Sequence, residues 1–142
     1  MQRVVVGPEL TSVIIESYDG NYDEHGCLSG EGRAVFVGGN RYEGSFERGM
    51  MHGHGTYTWV DDGTVYEGAF ENNSVTGHGS YRWRDGSTFV GSVLQGRRHG
   101  SGVYTSASRE VVYDGEWRHG KRHGRGTQWY DAERTTSYVG SW

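Results

Sequence analysis

One short motif returns along the chain at a nearly constant interval, and it limits what the chain can fold into. The motif is an aromatic residue, any residue and then glycine. It begins at Tyr18, Tyr42, Tyr66, Phe89, Tyr113 and Tyr138, with steps of 24, 24, 23, 24 and 25 residues. Two residues after each glycine stands a large side chain, and a Gly-x-Gly pair completes each unit. A fixed period of this length predicts a repeat protein in which each unit is one supersecondary element.

Inside a unit the apolar residues alternate with polar ones. In residues 41–47 the side chains Tyr42, Gly44 and Phe46 fall on one face of an extended chain, and residues 55–59 repeat the alternation. A period of two predicts a β-strand with one apolar and one polar face. Each unit is therefore predicted to be a β-hairpin. The pairs Asp62-Gly63 and Asp85-Gly86 are typical of tight turns and are placed at the connections between units.

Successive hairpins predict an all-β fold, a single-layer, elongated, twisted antiparallel sheet about 50 Å long at 4.8 Å per strand. The composition agrees, because 25 Gly and 10 Tyr stand against three Leu, which is unsuited to a helix bundle. Each glycine on the aromatic face leaves a gap that a ring can cover. Residues 1–17 are predicted to be a lead-in or capping strand. Residues 18–142 hold about five repeats and the start of a sixth, in what we expect to be a fragment of a longer chain.

The charges are distributed unevenly. Residues 1–71 carry four Arg or Lys against twelve Asp or Glu, whereas residues 72–142 carry ten against six. This balance lacks the strong positive excess of nucleic-acid-binding proteins. Cys27 is the one cysteine, so no internal disulfide can form, which fits a reducing compartment. No run of residues approaches the length of about 20 apolar residues that spans a bilayer. We expect a cytoplasmic or cytoskeletal protein.

The histidines and Gly-x-Gly pairs that could suggest a metal or catalytic site occur at repeated positions of the motif. His52, His99 and His123 each precede a Gly-x-Gly pair, so neighbouring copies lie about 10 Å apart, too far to share one zinc ion. Gly-x-Gly is not followed by the Gly-Lys-Ser/Thr of a phosphate-binding loop, and Gly-x-Ser-x-Gly is absent. We therefore predict no catalytic residue, no cofactor and no metal.

The order Tyr-x-Gly-x-aromatic, Gly-x-Gly and Asp-Gly resembles the MORN repeat over residues 18–142. Finer resemblance lies in LTSVIIESY, GEGRAVFVGG, GMMHGHGTYTW and GKRHGRG, which are similar to segments of the MORN-rich radial spoke head proteins of axonemes. The resemblance implies a place in the cilium or flagellum. The pattern is broken at Val93, Ser108-Arg109 and Asp131-Ala132. It therefore does not fix the hairpin geometry near residues 105–112 and 130–137.

Two hypotheses for function follow. In the first, the chain is a protein-binding scaffold whose partners are other radial spoke or axonemal proteins, or a second copy of itself. An uncovered aromatic face would then be the interface. Its predicted contact residues are Tyr42, Phe46, Tyr57, Trp59, Tyr66, Phe70, Tyr81, Trp83, Tyr113 and Trp117.

In the second hypothesis a basic patch on two adjacent hairpin loops attracts anionic membrane lipid. The same patch can instead meet an acidic protein surface, or it can be a solvated edge. Its members are Arg97, Arg98, Arg118, Lys121, Arg122 and Arg125.

Overall fold

The computed structural model describes residues 14–131 and 133–142, which form one antiparallel sheet with the strands in chain order. The described residues contain eleven strands and no helix, so the predicted all-β meander is confirmed. The strands are β1 Ile15–Tyr22, β2 Leu28–Phe36, β3 Arg41–Glu47, β4 Met50–Trp59, β5 Thr64–Glu71, β6 Ser74–Arg82, β7 Thr88–Leu94, β8 Arg97–Thr105, β9 Val112–Arg118, β10 Lys121–Trp129 and β11 Ser137–Ser141. Strand β1 begins inside the predicted lead-in, and residues 1–13 of that segment lie outside the described residues.

The tight turns lie within each repeat rather than between repeats. Glu47 pairs with Met50, and the two residues between them have φ values of 53° at Arg48 and 80° at Gly49. Two consecutive positive φ values define the mirror-image turn that suits the twist of a two-residue hairpin. The same turn recurs at Asn72-Asn73, Gln95-Gly96 and His119-Gly120.

The Asp-Gly pairs lie at the connections between units, as predicted, but these connections are longer than the predicted tight turns. Residues 60–63 separate β4 from β5, and residues 83–87 separate β6 from β7. The Asp62 carboxylate accepts a hydrogen bond from the Thr64 amide at 2.9 Å, and Asp85 accepts one from Ser87 at 2.8 Å. Aspartate is favoured there because its side chain satisfies a turn amide.

The connection between β8 and β9, residues 106–111, is one residue longer than residues 83–87 and forms a similar turn without Asp-Gly. The Ser106 amide donates to the Val111 carbonyl, and Arg109, with φ 69°, takes the positive-φ place of Gly86. The Ser108 hydroxyl accepts from the Glu110 amide at 3.3 Å, as the Asp85 carboxylate does for Ser87. The connection therefore gains one residue but keeps the positive φ and the side-chain acceptor of the turn.

A tyrosine ring lying across two glycines is the feature that each repeat shares. Gly68 pairs with Gly79 on the next strand, and the ring of Tyr66 covers both. A methyl group added at Gly79 would lie 2.6 Å from two atoms of that ring. A ring also covers two glycines at the motifs that begin at Tyr18, Tyr42, Phe89 and Tyr113, and Tyr138 covers Gly140, which confirms that glycine leaves space for a ring.

A β-bulge next to the glycine pair gives the tyrosine hydroxyl its acceptor. Between the pairs Gly68–Gly79 and Phe70–Val75, only Ala69 on β5 opposes three residues on β6. The Ala69 carbonyl accepts the Tyr66 hydroxyl at 2.9 Å. Equivalent bonds run from Tyr18, Tyr42 and Tyr113 to the carbonyl three residues later.

The second large side chain of each motif packs between two of these rings. Phe70 lies edge-on to Tyr66 of its own repeat at 5.3 Å and to Tyr42 of the previous repeat at 4.9 Å. Phe46, Trp117 and Trp142 occupy the same place in their own repeats. Edge-to-face packing is a favourable arrangement of aromatic pairs. One continuous row of interleaved side chains therefore forms the core along the sheet.

Adding a methyl group beneath one ring should destabilise the whole array. We expect Gly79→Ala to lower the free energy of unfolding by about 1–3 kcal/mol, because the tyrosine ring or the strand must shift. Urea unfolding followed by tryptophan fluorescence measures the change. His78→Ala is the control, since His78 is exposed and precedes Gly79 on the opposite face. Equal stability of the two variants would contradict the ring–glycine packing.

The buried phenols predict instability in alkali. Burial raises the pKa of Tyr42 and Tyr66 well above the ordinary value of 10.0. The raised pKa stabilises the folded state fully below about pH 10, and this stabilisation is lost as the pH rises towards the folded-state pKa values. We therefore expect unfolding in alkali, with phenolate absorbance from these residues appearing together with the loss of strand circular dichroism. Phenolate formation by Tyr42 and Tyr66 in the intact fold would contradict this.

Candidate functional site

The aromatic face is largely covered by its own rings. Nine of the ten residues predicted to contact a partner are buried, and only Trp83 is half-buried. The expectation of an uncovered aromatic face is wrong for those nine, because each ring packs on glycines and on neighbouring rings. Their contact with a partner stays a prediction. The nine are Tyr42, Phe46, Tyr57, Trp59, Tyr66, Phe70, Tyr81, Tyr113 and Trp117.

An accessible groove lies at the β8–β11 end of this face. Its volume is about 620 Å³, and cationic side chains stand among its aromatic ones. Aromatic floors with a few polar groups are typical of binding sites. The residues that line the groove are Arg98, Tyr104, Val111, Tyr113, Trp117, Gly120, Lys121, Arg122, Gln128 and Trp142.

Arg98 enters the groove from β8. It pairs with the buried Val93 across the hairpin and therefore points to the aromatic face. Its guanidinium carbon lies 4.6 Å from the centre of the Trp117 ring and 5.6 Å from that of Trp83. One guanidinium nitrogen donates to the Gly120 carbonyl at 2.8 Å. Two indoles and a carbonyl of the next hairpin thus hold the charged group in place.

Arg122 repeats the arrangement one hairpin further along. It pairs with Trp117, and its guanidinium carbon lies 5.9 Å from the ring centre of Tyr113 and 5.7 Å from that of Trp142. The guanidinium also donates to the side-chain carbonyl of Gln128. Gln128 pairs with Tyr113 at the place where Tyr57 and Tyr81 stand in earlier repeats, so the groove floor is more polar here.

The earlier repeats carry aliphatic side chains at this position. Leu28, Met51 and Val75 pair with Tyr22, Phe46 and Phe70, and the last two aliphatic residues are 1% exposed. Arginine therefore replaces a core aliphatic residue only in the fourth and fifth repeats.

The predicted basic patch does not form a single surface. Arg98 and Arg122 lie on the aromatic face, whereas Lys121 borders the groove but pairs with Arg118, so its side chain points to the opposite face. Arg97, Arg118 and Arg125 alternate with groove or core residues along their strands and point to the opposite face. The spacing in the sequence indicates the face of Arg98 and Arg122. Each precedes a ring-covered glycine by an even number of residues and therefore shares its face.

The polar face has a depression of its own near the first repeats, with a volume of about 670 Å³. Its lining mixes Glu31 and Glu43 with Arg33, Arg41 and His54. Arg33 and Glu43 form an exposed ion pair at 3.5 Å. Exposed charges of both signs are typical of a strand face in contact with solvent. This depression is therefore a weaker candidate for a binding site than the groove.

The repeated histidine position holds adjacent hairpins together. The Nδ1 atom of His52 accepts a hydrogen bond from the Asn72 amide at 3.2 Å, and His99 accepts one from the His119 amide at 3.4 Å. Thr76 fills the same position, and its hydroxyl accepts from the Gln95 amide at 3.1 Å. Within residues 14–131 and 133–142, no three His, Cys, Asp or Glu side chains form a metal-binding group.

Four segments match the family model of the MORN repeat, at residues 42–64, 66–88, 89–110 and 113–131. Together they cover more than half of the chain. The chain belongs to the MORN repeat family. MORN repeats are typically non-catalytic, and they indicate a protein-binding or membrane-associating module. No curated protein matches the chain. In the described part of this MORN array, no helix is able to cross a membrane.

The histidine position allows a test of its structural role. We expect His52→Ala to lower the free energy of unfolding by about 0.5–1.5 kcal/mol, because the Asn72 amide loses its acceptor. His52→Thr should unfold close to the wild type, since Thr76 already makes this bond in the next repeat. Both variants lose the surface contact with Glu47, which contributes little. Equal destabilisation of both in urea would contradict the role of the side-chain acceptor.

Proposed function

We propose that this MORN array is a non-catalytic protein-binding scaffold and that the groove at β8–β11 is its binding site. The observation that carries the proposal is the change at one repeat position from buried aliphatic side chains to Arg98 and Arg122. An aliphatic residue would continue the core there. Arg98 is instead half-buried and Arg122 is exposed, so both charged groups are open to the groove. Two arginines at successive copies of this repeat position give the groove a recognition surface.

A protein segment fits this surface better than a bilayer does. The basic residues at this end of the array are divided between two faces, and a flat membrane can meet only one of them. The opposite face also carries Glu116, whose carboxylate accepts the Arg125 amide. A chain segment, in contrast, can enter a groove and contact both guanidinium groups and the rings.

The chemistry of the groove favours binding over catalysis. The described residues that line it offer guanidinium, ammonium, phenol, indole and amide groups. None of these lining residues is an Asp, Glu, His, Cys or Ser.

The finer proposal places the scaffold in the radial spoke head of motile cilia and flagella, with other spoke or axonemal proteins as partners. What supports it is the resemblance of the segments 10–18, 30–39, 49–59 and 120–126 to the B-type homologue of the tenth radial spoke head protein. A scaffold that holds neighbours in an ordered assembly needs a rigid array with repeated contacts, which the interleaved rings supply.

The test is incorporation of the tagged chain into axonemes of multiciliated cells. The groove variant is Trp83→Ser with Tyr104→Gln, because Ser106 and Gln128 occupy the same repeat positions and the fold already accepts them. We expect this variant to fold and to lose at least about tenfold in axonemal incorporation, as hot-spot aromatic residues do on truncation.

The control is Val90→Gln, which changes an exposed residue of the polar face. It should incorporate like the wild type. If the folded groove variant also incorporates normally, the groove does not mediate assembly. If the wild-type chain stays out of axonemes and in the cytosol, the radial spoke proposal fails while the scaffold proposal stands.

A further inference from the structure

We propose that the groove recognises an acidic segment of a partner protein, with Arg98 and Arg122 each binding one carboxylate. This inference rests on the proposed binding function and names the chemistry of the partner. It starts from the charge of the groove. The side chains of Arg98 and Arg122 lie on its face of the sheet, and none of its described lining residues is acidic. The chain as a whole is negative, so this positive groove is a local feature.

The rings prepare both guanidinium groups for carboxylate binding. A guanidinium that lies against an aromatic ring is held by its face, which leaves its N–H edge for hydrogen bonds in its own plane. Arg98 is fixed further by its bond to the Gly120 carbonyl, and Arg122 by its bond to Gln128. These contacts restrict the half-buried Arg98 more than the exposed Arg122, and such restriction lowers the side-chain entropy that is lost on binding. Arginine-carboxylate pairs are also among the stronger hydrogen-bonded interactions.

The repeat fixes the spacing of the two sites. Arg98 and Arg122 lie on strands two apart in the sheet, which corresponds to about 10 Å. An extended peptide covers this distance in about three residues, and a helix in about seven. Tyr104 and Trp142 also line the groove and are only half-buried, so an apolar side chain of the ligand can contact them. The expected ligand therefore carries two acidic residues with an apolar side chain between them.

The fold supplies conservative variants that remove the arginines. Arg98→Met with Arg122→Met restores the side chain that Met51 places at this position in the second repeat, so the array should fold. The matched control is Arg97→Met with Arg125→Met. It removes the same two charges from the opposite face of strands β8 and β10. Unfolding in urea checks that all three proteins fold.

The probe is a phage-displayed library of random peptides long enough to span both arginines, selected on the full chain. We expect the selected peptides to be enriched in Asp and Glu that flank an apolar residue. Their affinity should fall at least about tenfold in the Arg98→Met, Arg122→Met variant, since each lost charge-assisted bond contributes strongly. In the Arg97→Met, Arg125→Met control it should fall less than about threefold. A parallel flotation assay uses vesicles of phosphatidylcholine and phosphatidylserine.

Three outcomes overturn the inference. Selected peptides that lack acidic residues but lose affinity in the Trp83→Ser, Tyr104→Gln variant would leave the scaffold proposal standing and remove the acidic ligand. Acidic peptides that bind the Arg98→Met, Arg122→Met variant as well as the wild type would also remove the acidic ligand. If no peptide is enriched, and vesicles bind in a way that depends on Arg98 and Arg122, the occupant is lipid and both proposals fail.

Discussion

The contact of one tyrosine ring with two facing glycines is the interaction on which the rest of the structure depends. The ring can lie flat on the sheet only because neither strand has a Cβ beneath it. The bulge then exposes a carbonyl that the phenol satisfies, so a buried hydroxyl is not left without an acceptor. A single-layer sheet has no second layer to cover its apolar face, and these rings take over that task.

Much of this fold follows from the sequence alone, because period, alternation and glycine position are all properties of the chain. The glycines of the aromatic face predict gaps that rings can cover, and the structure confirms this at Tyr42 and Tyr66. The tight turns were assigned to the wrong connections. The residue types of Arg48 and His119 do not indicate the positive φ that both adopt, whereas Asp-Gly is typical of several different turns.

The candidate site was only partly predictable. Sequence reasoning identified Arg98 and Arg122 as part of a basic cluster, but it placed them on solvated loops. Their strand register decides otherwise, because each pairs with a core residue of the neighbouring strand. The burial of nine aromatic residues was also missed, since it depends on packing between repeats that are distant in sequence. Exposure of a face cannot be read from the pattern of one strand.

The fourth repeat has a mechanical consequence. Phe89 stands in place of tyrosine and has no hydroxyl to bond the bulge carbonyl, and Val93 stands where the other repeats insert an aromatic ring. The two departures coincide at β7, next to the seam with β6. If the array is pulled along its long axis, this seam resists with fewer ring contacts than its neighbours. Such a load would therefore separate a β1–β6 block from a β7–β11 block, and Arg98 would lose its contact with the ring of Trp83, which stacks on Tyr81 of β6.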